Sequence, residues 1–166
     1  MIIICKINLN TYLLYHGTNA DIAEIDLMKC APNKDFGRGF YLTDIGKQAE
    51  YMAMRRVKQS GVGKPVVIEY FFDEHLLQDK SLRVRRFNKP SEAWARFALE
   101  NRTGNNPHDY DIVMGPVADD GVALQLRRYT ENLISMRTLI GELTNKKLNN
   151  QYCFCTPMAV SKLKKL

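Results

Sequence analysis

The chain has 166 residues, 45% of them hydrophobic and 25% charged, which suits one globular domain and excludes a disordered or collagen-like chain. Its longest early apolar run, Met1 to Cys5, gives way to Lys6; that is far short of the roughly 20 residues of a membrane-spanning helix and lacks the pattern of a secretory signal. A cytoplasmic protein without membrane contact is therefore expected. The net charge of +6 favours phosphate-bearing or polyanionic partners, but no helix-turn-helix, zinc-finger or RNA-binding signature accompanies it.

In chain order, Thr11 to His16 reads as a strand rich in β-formers and stopped by Gly17, and Ala20 to Met28 as a short helix capped by Asn19. Phe40 to Thr43 is a short strand entered through Gly37 and Gly39. Ile45 to Gln59 follows as a helix, with Ala49, Met52, Ala53 and Val57 at helical spacing and Gly61 and Gly63 at its end. Val66 to Phe72 alternates as the best strand of the chain, and Ser81 to Phe87 as a weaker one.

Pro90 to Asn101 is an amphipathic helix that places Trp94 in the core, and Asp109 to Val117 a strand closed by Gly115 and Pro116. Two helices follow, one marked by Val122, Leu126, Tyr129 and Leu133, the other by Met136, Leu139, Ile140 and Leu143. Gln151 to Cys155 is a last strand, and Thr156 and Pro157 open a C-terminal helix whose solvated end holds Lys164 and Lys165. Strands and helices do not alternate regularly, so the expectation is an α+β domain with split, largely antiparallel sheets and flanking helices, covering 1–166, with 1–10 as an N-terminal extension.

Cys5, Cys30, Cys153 and Cys155 lack zinc-ligand spacing; reduced, packed thiols and no metal are expected. His75 and His108 fall in loop-like stretches and read as surface residues. Two segments point to ligand chemistry. In Tyr15, His16, Gly17 and Thr18, an imidazole at a strand end can hydrogen-bond a ligand hydroxyl, and Gly17 permits close backbone approach. In Asp35 to Thr43, Gly37 and Gly39 flank Arg38 and run into Phe40 and Tyr41, a loop suited to phosphate or ribose, though not a dinucleotide-fold glycine motif.

Together these segments resemble the poly-ADP-ribose-polymerase-like branch of the ADP-ribosyltransferases, which has a His-Gly on one strand, a Gly-x-Tyr on the next, a Tyr on the following helix and an acidic residue at the start of a late strand. Here these are His16 and Gly17, Gly39 and Tyr41, Tyr51, and Gln151 in place of the usual Glu. The runs Tyr110 to Asp120 and Gln151 to Thr156 extend the resemblance to a bacterial family of that branch, over residues 15–166.

The resemblance implies an ADP-ribosyltransferase-like fold and NAD as substrate. It implies that His16 bonds the adenosine ribose, that the Gly17 backbone, beside Thr18, grips the nicotinamide carboxamide, and that Tyr41 lines the nicotinamide side while Tyr51 stacks on the ring. Gln151 would meet the 2′-hydroxyl of the nicotinamide ribose. Arg38, beside Gly39, is assigned to the pyrophosphate from its charge and place.

Cleaving the nicotinamide–ribose bond develops positive charge on the sugar. A neutral Gln stabilises that charge less than a Glu, since charge-assisted hydrogen bonds are about twice as strong. Asp119 and Asp120 could supply a carboxylate, or could simply cap the next helix. The leading expectation is a mono-ADP-ribosyltransferase modifying a protein or nucleic acid, with bacterial toxin or effector biology and a small neutralising partner implied by the resemblance. The alternatives are an NAD glycohydrolase, a non-catalytic NAD or ADP-ribose-binding module, and a nucleic-acid-binding domain that uses the positive charge.

Overall fold

The computed structural model describes residues 11–104, 108–117, 120–144 and 148–166. The expected extension over 1–10, Cys5 and Asp119 lie outside the described residues. Among the described residues there are seven strands: β1 (Thr11–Thr18), β2 (Phe40–Thr43), β3 (Val66–Asp73), β4 (Val84–Arg86), β5 (Ile112–Pro116), β6 (Asn150–Phe154) and β7 (Lys164–Lys165). The same residues form five α-helices, α1 (Gly46–Ser60), α2 (Glu92–Thr103), α3 (Asp120–Thr130), α4 (Met136–Thr144) and α5 (Pro157–Val160). The protein is α+β.

The strands lie in the order β4-β5-β6-β2-β1-β3-β7. Every pairing is antiparallel except β4 with β5. The ladder is uneven. β1 pairs with β3 along its whole length, from Thr11 opposite Asp73 to Thr18 opposite Val66, and β2 pairs with β6 from Phe40 to Thr43. Between β1 and β2 there is one register pair, Tyr15 opposite Thr43. The described strands thus form one largely antiparallel sheet with a weakly paired seam, rather than the split sheets expected.

Strand alternation sends successive side chains to opposite faces, which divides the core in two. Leu14, Leu42, Ile68, Met114, Tyr152 and Phe154 belong to one cluster. Val113 and Cys153, which are their sequence neighbours, belong to the other, with Phe36, Trp94, Leu126 and Leu139. Trp94 is fully buried and its indole N–H donates to the Pro116 carbonyl at 3.2 Å, so a large apolar ring is buried without an orphaned donor. This fixes α2 against the end of β5.

Asp111, just before β5, is joined to the starts of two further elements, β4 and α5. Its carboxylate accepts from the Arg83 amide at 2.8 Å and from the Thr156 hydroxyl at 2.8 Å, and pairs with the Arg83 guanidinium. Burial works to raise its pKa, but these bonds to the charged form outweigh burial and leave it below the ordinary carboxylate value.

Several expected elements differ. β1 does not stop at Gly17, because Gly17 pairs with Val67. Ala20 to Met28 is not a helix; only a short 3-10 turn, Leu27–Lys29, forms there, and the Asn19 amide bonds the Ser60 hydroxyl and the Val62 carbonyl instead of capping. Lys164 and Lys165 pair with Phe71 and Tyr70 as a short edge strand rather than ending a helix, and Lys165 bonds Asp21 at 2.7 Å. His108 is half-buried, bonded to the Phe36 carbonyl at 2.9 Å and packed on Phe97. Among the described residues, no helix is long and apolar enough to cross a membrane.

Two glycines make opposite tests of this packing. A Cβ on Gly17 would lie 2.0 Å from the Ala49 carbonyl oxygen and 2.8 Å from the Ala53 nitrogen of α1, whereas one on Gly141 in α4 would meet nothing within 4 Å. Overpacking against backbone cannot be relieved by a rotamer, so Gly17→Ala should lose about 1–3 kcal/mol or more. Gly141→Ala should gain about 0.5–1 kcal/mol from helix propensity. Urea denaturation of the two variants beside the wild type measures both.

Candidate active site at the strand seam

The single β1–β2 pair begins a row that runs across four strands: Tyr15 opposite Thr43, Thr43 opposite Gln151, and Gln151 opposite Gly115. Residues in one cross-strand row share a face, so Tyr15, Thr43 and Gln151 stand together on the α1 side of the seam. The Thr43 hydroxyl donates to the Gln48 side-chain oxygen at 2.9 Å and accepts from the Ile45 amide at 3.2 Å, tying the row to the start of α1. A Cβ on Gly46 would lie 3.6 Å from the Tyr15 ring, so the helix start faces that ring.

His16 alternates to the other face, where its ring packs on Phe40 with centroids 4.3 Å apart. Its Nδ1 is 2.8 Å from the Tyr41 carbonyl oxygen. A carbonyl can only accept, so Nδ1 carries the proton and Nε2 is left as an acceptor in the neutral ring. Burial lowers the imidazole pKa below its ordinary 6.5, the bond to Tyr41 opposes this, and the nearby charge of Arg56 lowers it further. His16 is therefore a neutral imidazole with a fixed tautomer near neutral pH.

Tyr41 lies on the face of Gln151, and its hydroxyl is engaged by the preceding turn: it accepts from the Phe36 amide at 3.0 Å and donates to the Gly37 carbonyl at 2.8 Å. Burial raises its pKa far above the usual phenol value, so it remains protonated. The turn it holds carries Asp35. The Asp35 carboxylate bonds Gln151 Nε2 at 3.4 Å through Oδ2 and Arg102 Nε at 2.5 Å through Oδ1. Arg102 is delivered by the last turn of α2, the helix anchored by Trp94.

The structure thus joins His16 to Tyr41 through a backbone carbonyl, and Tyr41 to Gln151 through the 35–37 turn. It does not gather the three side chains on one face. The close approach that Gly17 permits is made by α1, and Thr18 is buried at the end of β1. Gly39 is required by packing, since a Cβ there would lie 2.4 Å from Cys153 Sγ. Arg38 Nη1 donates to the Met28 and Cys30 carbonyls at 2.9 and 2.6 Å. Arg38 lines a cavity of about 340 Å³ with Asn101, His108 and Tyr110, which neither His16 nor Gln151 borders. Tyr51, on α1, is 56% exposed.

Asp120 opens α3, and among the described side chains the carboxylate bonded to Gln151 is that of Asp35. Asp35, Arg102 and Arg56 are the polar residues that sequence reasoning missed. Asp35 sat inside the motif already singled out, but only the fold of the turn shows where its carboxylate goes. Arg56 could have been found from helical spacing, since it follows Ala49 and Ala53, the positions packed against Gly17. Arg56 is exposed and within electrostatic reach of both His16 and Cys30. The thiols of Cys153 and Cys155 are 3.4 Å apart, with Cys153 buried and its pKa raised well above the ordinary thiol value by burial.

The state of His16 can be read directly. Its imidazole should titrate below 6.5 in an NMR pH series, and Arg56→Gln should move it upward. Because the folded pKa is depressed, protons favour the unfolded chain. Stability should therefore be full above the unfolded value of about 6.5 and fall as the pH drops below it towards the lower folded value, with a shallower slope in His16→Gln.

Residues 12–165 match the family model described as "Protein of unknown function (DUF3990)". No curated protein and no solved structure matches the chain. With a match over nearly its whole length, the chain belongs to that DUF3990 family.

Proposed function

We propose that this protein is a mono-ADP-ribosyltransferase that takes NAD at the β1–β2 seam and transfers ADP-ribose to a macromolecule. The observation that carries this reading is a neutral acceptor on each face of the seam: His16 Nε2, left open by the Nδ1 bond to Tyr41, and Gln151 Oε1, left open by the Nε2 bond to Asp35. Ribose hydroxyls donate to such acceptors, and NAD has two riboses. The resemblance of the His16, Tyr41 and Gln151 segments to ADP-ribosyltransferases supports the same assignment, His16 taking the adenosine ribose and Gln151 the nicotinamide ribose. Arg56, exposed and within electrostatic reach of His16, suits the diphosphate better than Arg38, whose Nη1 is engaged by two carbonyls.

In this reaction the bond between C1′ of the ribose and the nicotinamide nitrogen breaks, and its electron pair leaves on nicotinamide. The acceptor's nucleophile then bonds C1′ and releases a proton. Gln151 accepts from the 2′-hydroxyl and sets a carbonyl dipole towards the positive sugar. With water as acceptor, the same site would be an NAD glycohydrolase. The family resemblance also supports a toxin or effector setting with a neutralising partner protein.

Incubation with NAD should release free nicotinamide. Gln151→Ala should reduce turnover by roughly 100–1,000-fold, the scale of losing one oriented group at a developing charge. His16→Ala should chiefly raise KM. NAD binding with no nicotinamide release would instead favour a non-catalytic binding module, and no binding at all would sink the NAD reading.

A further inference from the structure

Resting on that reading of the site, we infer that Asp35 is a positioning residue for the reaction, fixing through its hydrogen bond to Gln151 which carboxamide atom meets the ribose and backing that atom with negative potential. The usual glutamate combines contact and charge in one side chain. Here the two would be divided, with contact from Gln151 and charge from Asp35.

The geometry is specific about polarity. A carboxylate accepts and never donates, so the Gln151 nitrogen must face Asp35 Oδ2, at 3.4 Å, and the oxygen must point elsewhere. A carboxamide without such a partner can turn half a revolution about its terminal torsion. It would then present N–H groups to the 2′-hydroxyl and to the developing cation, whose charge opposes them. Asp35 removes that choice. An amide that donates to an anion is also polarised, which enriches its oxygen.

The support behind Asp35 is rigid. Its side chain is 11% exposed, and Arg102 Nε holds its other oxygen at 2.5 Å. In such a dry position its field is screened less than at the surface. The neighbouring Phe36 is fully buried, and the Tyr41 hydroxyl bonds the backbone on both sides of the turn. On the far side of Gln151 the row continues with Gly115, which has no side chain to compete for the carboxamide.

The test is an exchange of the two groups. Nicotinamide release and NAD affinity are measured for the wild type, Asp35→Asn, Gln151→Glu and the double variant, with thermal melts of each. Asp35→Asn should lower kcat at least tenfold while KM changes less than about threefold, because binding groups remain and polarity is lost. Gln151→Glu alone sets two carboxylates against each other, so its activity should become pH-dependent as one of them holds a proton. In the double variant the carboxamide now at position 35 can donate to the carboxylate now at position 151, and turnover should recover to the wild-type level or above it.

A purely structural Asp35 predicts a double variant no faster than Asp35→Asn. That result would overturn the inference, as would a folded Asp35→Asn turning over within twofold of wild type. If Asp35→Asn is too unstable to assay, the double variant against Gln151→Glu gives the same comparison, and equal rates there overturn it. A wild type that releases no nicotinamide removes the NAD reading itself, which is a different failure from release that ignores Asp35.

Discussion

The Tyr41 hydroxyl accepts a hydrogen bond from the Phe36 amide and donates one to the Gly37 carbonyl, and the polarity of the candidate site depends on the turn so held. On one side of the turn Phe36 is buried among Phe87, Trp94 and Val113. On the other, Asp35 reaches both Gln151 and Arg102. A phenol kept protonated by burial makes a dependable two-way partner here, since loss of its proton would remove the donor to Gly37. Opening the turn would withdraw a large aromatic from the core and leave Arg102 and Gln151 without their carboxylate. The site and the second core cluster are therefore stabilised together.

The seam beside this turn follows from unequal pairing. β1 is held by β3 along eight register pairs and by α1 through the close contact at Gly17, while it meets β2 at one. The remaining link is chemical: His16 crosses to the Tyr41 carbonyl. One residue thus supplies both a structural bond across the gap and, through its second nitrogen, an acceptor beside it. The choice of tautomer follows from the carbonyl being unable to donate.

Charge is arranged locally within a chain of net charge +6. Under the turn Arg102 pairs with one oxygen of Asp35 while the other faces Gln151, and Asp111 takes Arg83 and Thr156 where β4, β5 and α5 meet. Arg56 is exposed and within electrostatic reach of His16. Removing one partner from a buried pair costs far more than a surface pair contributes. Two acidic residues, Asp35 and Asp111, are thus held in the interior by such partners.

Much of the fold was legible from residue pattern alone. Alternation from Val66 to Phe72 gave β3, the spacing of Ala49 and Ala53 gave α1, and Thr156 with Pro157 marked the start of α5. These are local signals, set by side-chain period and capping chemistry within a few residues. Ala20 to Met28 carried a weak helical pattern that local signals could not arbitrate, and Lys164 and Lys165 became a strand only because the exposed edge of β3 lay beside them. For the site, the residue types at His16, Tyr41 and Gln151 singled themselves out in the sequence. Their faces, the sharing of Asp35 between Gln151 and Arg102, and the placing of Arg56 next to His16 join positions up to 116 residues apart. Only the tertiary structure decided those, because strand register and the path of a turn depend on contacts that no short window of sequence contains.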